Sequence, residues 1–106
     1  MTAKQLQEAE NFCVKENFNR AMSEFYSLGY ISQKRLRNCT AWVYETENYY
    51  ILKSYNTFIA SVNKEDGKLF DALRMVYGFT STSAQHISKF WHDYCYGEKF
   101  IFRYIK

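Results

Sequence analysis

The sequence contains no proline and only four glycines. Nothing in it therefore fixes a rigid break or a proline-rich spacer, and residues 1–106 are expected to fold as a single domain. Cysteine is scarce as well. Cys13, Cys39 and Cys95 are odd in number and widely spaced, which implies no disulfide framework and fits reduced thiols in a cytoplasmic location. No apolar run approaches the ~20 residues needed to cross a bilayer, and none follows the first basic residue, Lys4, so neither a signal peptide nor a membrane anchor is expected. Charge of one sign is missing too: fourteen Lys and Arg against eleven Asp and Glu leave a net charge of +3. That is too little for the concentrated basic face of a dedicated duplex binder, and of the wrong sign for an acidic mimic of DNA.

What the chain has in quantity is aromatic rings. Nine Phe, ten Tyr and two Trp can each bury roughly 150–250 Å², which compensates for the small size of the core. Ten tyrosines exceed what such a core readily hides, since each buried hydroxyl needs a partner. Some tyrosines are therefore expected outside, where Tyr and Trp give large contact areas at low entropic cost. A composition also rich in Lys, Asn and Ile has a second source, the codon bias of an AT-rich genome.

The pattern along the chain predicts an α+β domain. Thr2 with Gln5 forms a capping box, and Leu6, Ala9, Cys13, Ala21, Met22, Phe25 and Leu28 recur at helical spacing up to Gly29, giving one N-terminal helix or a pair broken near Asn17 and Asn19. Residues 32–38, with Lys34, Arg35 and Arg37, read as an exposed loop or short helical turn. From Thr40 the composition shifts to strand formers: Thr40 to Tyr44, then Tyr49 to Val62 with a bulge at Ser54, Asn56 and Thr57, then Leu69 to Tyr77 after the Asp66-Gly67 turn. Thr82 to Gln85 is a second capping box, opening a helix whose stripe Ile87, Phe90, Trp91 and Tyr94 should lie on the sheet. Lys99 to Lys106 alternates as a final strand. The expected architecture is an antiparallel sheet of about four strands, covered by helices.

Catalytic and metal chemistry find little support in the spacing. His92 and Cys95 stand three apart, but a structural zinc site needs about four ligands and no second pair supplies them. Cys95 lies beside the apolar stripe and reads as a small core residue rather than a nucleophile. His86, with Lys89 and Asp93 further along the helix, reads as a solvated face with a local charge pair. Glu65 and Asp66 serve the hairpin turn, and no glycine-rich phosphate loop is present. No enzyme, cofactor or metal is expected, and the role left is binding.

One stretch resembles a known family. Ser54-Tyr55-Asn56-Thr57 followed by Ile59-Ala60, the Asp66-Gly67 turn, Tyr77-Gly-Phe-Thr80-Ser-Thr82, and His86-Ile87 with Phe90 are similar to a family of small phage and mobile-element proteins of low-GC bacteria. The similarity runs from Ser54 to Phe90 and departs at Gln85, where the family carries an arginine. No activity comes with it. The resemblance implies an accessory protein, from a class in which inhibitors of host defence, including anti-CRISPR proteins, are frequent.

Two binding modes then compete. In the first, an inhibitor or adaptor docks on a host protein or ribonucleoprotein complex through exposed aromatics such as Tyr49 and Tyr55, with Lys34, Arg35 and Arg37 as a charged rim or as anchors on an acidic surface. In the second, those three basic residues join Lys89, Lys99, Arg103 and Lys106 on the phosphates of single-stranded DNA or RNA, while tyrosines stack on unpaired bases. The plain alternative for the basic residues is a solvated surface.

Overall fold

The computed structural model describes residues 1–37, 39–78 and 80–105. Asn38, Phe79 and Lys106, which belong to the segments read above as a loop, the approach to the last helix and the final strand, lie outside the described residues. The chain begins with α1 (Ala3–Leu28) and continues through β1 (Ser32–Arg35), β2 (Ala41–Glu45), β3 (Tyr49–Ser54), β4 (Thr57–Asn63) and β5 (Leu69–Asp71). Then come α2 (Leu73–Val76), α3 (Ser81–Tyr94) and β6 (Lys99–Ile101). The six strands form one sheet in chain order. The α+β class is as expected, whereas the strand count and the purely antiparallel arrangement are not: β5 and β6 run parallel. A parallel neighbour needs a long crossover, and α2 with α3 supplies it.

α1 is one helix, not two. The Thr2 hydroxyl accepts from the Gln5 N–H and the Gln5 side chain accepts from the Thr2 N–H, while the Gly29 N–H closes the other end on the Phe25 carbonyl. Asn17 does not break it, because its amide donates to the Cys13 carbonyl one turn back at 2.8 Å. The face it buries is carried by Val14, Phe18 and Ala21, and Leu6 and Leu28 of the expected stripe are exposed.

Four further expectations are corrected, each for a local reason. Residues 32–35 form an edge strand rather than a loop, since backbone pairing with β2 asks nothing of the side chains, and charged residues suit an edge. The expected strand from Tyr49 to Val62, full or bent, is a hairpin: Tyr55 takes a positive φ of 54° and turns the chain within two residues, and the bulge lies beyond the turn, at Ile59, opposite the Leu52–Lys53 step where the register shifts. The strand from Leu69 stops at Asp71, whose carboxylate accepts from the Leu73 N–H at 3.0 Å and turns the chain into α2. α3 is capped by Thr80, which accepts from the Ser83 N–H, two residues before the expected capping residue.

Alternation along the strands gives the sheet two covered faces. On one, Val43, Leu52, Val62 and Leu69 pack with Ile87 and Phe90 of α3. On the other, Phe58, Phe70 and Phe100 pack with Val14 and Phe18 of α1. Trp91 does not join the α3 stripe; it is exposed, with the Lys99 ammonium 5.3 Å from its ring centre. No helix among the described residues is long and apolar enough to cross a membrane.

Candidate functional site

The hairpin turn Tyr55-Asn56 separates two unlike groups of side chains. Ser54, the last residue of β3, points to the α3 side. Its hydroxyl lies 2.7 Å from Nδ1 of His86 and 3.0 Å from the Ser83 hydroxyl, and all three residues are buried. Helical periodicity places Ser83 and His86 one above the other on α3, so the end of β3 is pinned to the first turn of that helix by a continuous chain of hydrogen bonds. Burial, and secondarily the Lys89 ammonium, pull the imidazole pKa below its usual value, which keeps the ring neutral at neutral pH.

Beside this cluster opens a cleft of about 180 Å³. Its walls are Ser54, Tyr55, Asn56 and Thr57 of the turn, Ile59 of β4, Tyr77 after α2, and Ser83 of α3. Among the described residues that line it, none carries a formal charge. The Tyr55 ring lies 5.8 Å from the His86 ring, and the Tyr55 N–H donates to the Thr40 carbonyl at 3.0 Å, holding an aromatic residue in the left-handed region that favours glycine.

On the opposite face of the same sheet end, Arg35, Trp42, Lys53 and Phe58 stand in register across β1 to β4. α1 lies across β3 to β6 and meets β2 through the edge of the Phe25 ring against Tyr44. This rung is therefore left open: Arg35 and Trp42 are exposed and Lys53 is half-buried. The Lys53 ammonium sits 5.3 Å from the Phe58 ring centre and 5.9 Å from that of Tyr44, while the Arg35 Nε donates to the Cys39 carbonyl. Among the described residues neither cation is in an ion pair. An exposed indole between two unpaired cations can stack on a flat ring while the cations meet negative charge.

The residues chosen from sequence are dispersed. Lys34 and Arg35 are neighbours, and strand alternation sends them to opposite faces. Arg37 is turned to α3, where its guanidinium donates to both Asp93 oxygens at 2.6 and 3.0 Å; that contact holds the Asp93 carboxyl below its usual pKa. Lys89 donates to the Cys39 sulfur at 3.0 Å. Arg103 lies 3.9 Å from Glu10 of α1, and Lys106 is outside the described residues. Tyr49 is half-buried in a groove along α1 with Phe12, Arg20 and Glu24. There the Glu24 carboxylate accepts from Thr46, from the Asn48 N–H and from the Asn48 amide. Only Arg35 and Tyr55 border the two groups at the turn.

Ser54, Ser83 and His86 as a cluster, and Trp42 with Lys53, were missed by sequence reasoning. His86, read as part of a solvated face, is buried, because α3 starts at Ser81 and its rotation turns this position toward β3. Trp42 looks like any core aromatic until the register places it between cations. No group of three or more His, Cys, Asp or Glu among the described residues is placed to hold a metal ion. Compared with family models, curated proteins and solved structures, the chain matches none.

Proposed function

We propose that this protein is a non-catalytic binding module whose open rung engages single-stranded nucleic acid, free or displayed by a host ribonucleoprotein. The observation that carries this reading is the register Arg35–Trp42–Lys53 on a sheet face that α1 leaves uncovered. Stacking on an exposed indole is indifferent to base identity, and flanking cations follow the phosphates, so the expected behaviour is salt-sensitive and largely sequence-tolerant. With a net charge of only +3, this reading draws its affinity from the local arrangement rather than from the field of the whole molecule.

The test is anisotropy of labelled single-stranded DNA and RNA at low and high salt, with a duplex as control. Single strands are expected to bind at low salt and to weaken as salt rises, and Trp42→Ala is expected to weaken binding about tenfold or more. No retention at low salt, or a Trp42 variant that binds as the parent does, overturns the reading.

A second reading rests on a different observation. Tyr26, Leu28, Tyr30 and Ile31 are all exposed and close in sequence, from the last turn of α1 to the start of β1, an apolar group of the kind that docks on a protein. With the resemblance to phage accessory proteins, it favours an inhibitor of a host defence complex. Capture of one host protein that survives nuclease treatment and high salt, and is lost with Tyr30→Asp, would favour this reading over the first.

A further inference from the structure

We propose that the cleft beside the Tyr55-Asn56 turn takes up one unpaired nucleobase of the strand held by the Arg35–Trp42–Lys53 rung. The inference rests on the nucleic-acid reading and deepens it from a sequence-tolerant platform to one with a base-reading position.

The chemistry of the lining selects the occupant. Among the described residues the cleft presents no charged side chain, and the imidazole behind Ser54 is kept neutral by its burial. A phosphate or carboxylate would lose its hydration there without gaining a counter-charge. A neutral ligand with apolar faces and a polar edge gains on both counts. Tyr55, Tyr77 and Ile59 supply apolar surface, and Asn56 and Thr57 supply donors and acceptors. The side chains of Asn56 and Thr57 have no hydrogen-bond partner in the protein among the described residues, so their polar groups are available. About 180 Å³ suits one heterocycle rather than a base pair, as enzymes that extrude a base also require of their pockets.

Position makes the same argument. Ala41 pairs with Ser54 and Trp42 with Lys53, so cleft and rung are one residue apart along the strands and differ only in face. The two-residue turn is the chain that separates them, and a nucleotide strand passing over it can lay one base on Trp42 and send a neighbour into the cleft. Tyr55 stands at the crossing in its left-handed conformation, where a rigid aromatic edge is maintained against local preference. The sequence run Ser54 to Thr57 together with Tyr77, singled out above without a role, meets at this point.

Amide NMR spectra of the full chain, titrated with adenosine, guanosine, cytidine, uridine and ribose, test the cleft directly. Saturable shifts at residues 54–57, Tyr77 and Ser83 with at least one nucleoside, and none with ribose, are expected. Among short homopolymeric strands one base is expected to be preferred. Asn56→Ala, at an exposed turn position, should lower affinity for that strand roughly three- to tenfold and level the preference without changing the salt dependence. Equal shifts with ribose, no shift with any nucleoside, or an unchanged preference in both Asn56→Ala and Tyr77→Ala overturns the proposal. Strand binding that needs Trp42 but ignores base identity and Asn56 overturns the cleft and leaves the rung standing. Nucleoside shifts without strand retention at low salt overturn the rung instead.

Discussion

At the turn end of the sheet, the α3 side and the α1 side solve opposite problems. Beneath α3, three polar residues, Ser54, Ser83 and His86, are withdrawn from water and satisfied by one another. Across the sheet, a tryptophan between two cations is left in contact with solvent. The difference follows from the helices. α3 seats its first turn on the end of β3, so whatever faces it must be buried, and buried polar groups persist only when paired. α1 lies across β3 to β6, so Arg35 and Trp42 on the far strands stay exposed and their residue types are not dictated by packing.

The comparison breaks most visibly in stability. Phe90, fully buried between α3 and the sheet, should cost about 3–5 kcal/mol on substitution by alanine, whereas Trp42→Ala should cost within about 1 kcal/mol. Denaturant unfolding of the two variants measures this, and equal losses would mean that Trp42 is core rather than surface. His86→Ala should fall between them, at about 2–3 kcal/mol, because it leaves a void and the buried Ser54 hydroxyl short of a partner.

The same histidine sharpens the comparison through pH. Its folded-state pKa is depressed below 6.5, so on acidification the unfolded chain takes up the proton first and the native state loses stability as pH drops below about 6.5. This contribution is fully present above that value. Unfolding free energy should therefore decline between pH 7 and 5 in the parent and change less over that window in His86→Gln. An identical slope in both would show that the imidazole is not the group withdrawn from water. The smallest effect is expected at the turn: Tyr55→Gly relieves the left-handed φ and should raise stability by about 0.5 kcal/mol, the relief being partly offset by the added freedom of the unfolded chain. A loss of stability would mean that contact with the His86 ring outweighs the backbone strain.

Local chemistry made much of the fold legible. The Thr2–Gln5 capping box, Gly29 and the Gly67 turn, with its φ of 70°, are decided by neighbours in sequence, and they appear where expected. What depends on partners far along the chain was not legible. The residues of β1 carry no strand pattern because an edge needs none, and the parallel pairing of β6 depends on where α3 sets the chain down. The site was hidden for the same reason. Trp42 and Lys53 are eleven positions apart in the sequence and become neighbours only through the β2–β3 register, and His86 joins Ser54 only once the phase of α3 is fixed. Conversely, Lys34, Arg35 and Arg37, which looked like one basic patch, are divided by the pleat and by Asp93.

The parallel pairing of β5 with β6 also bears on assembly. β1 to β5 can zip together through short turns, each closing over a few residues, but β6 reaches its neighbour only across the whole α2–α3 segment and pays a larger loop-closure entropy. The β5–β6 pairing is thus the most distant in sequence of the sheet's strand pairings. Glu10 and Asn11 of α1 receive the carboxy-terminal segment, binding the backbone N–H groups of Ile101 and Arg103, so the first helix and the final strand of the chain complete the fold by closing on each other.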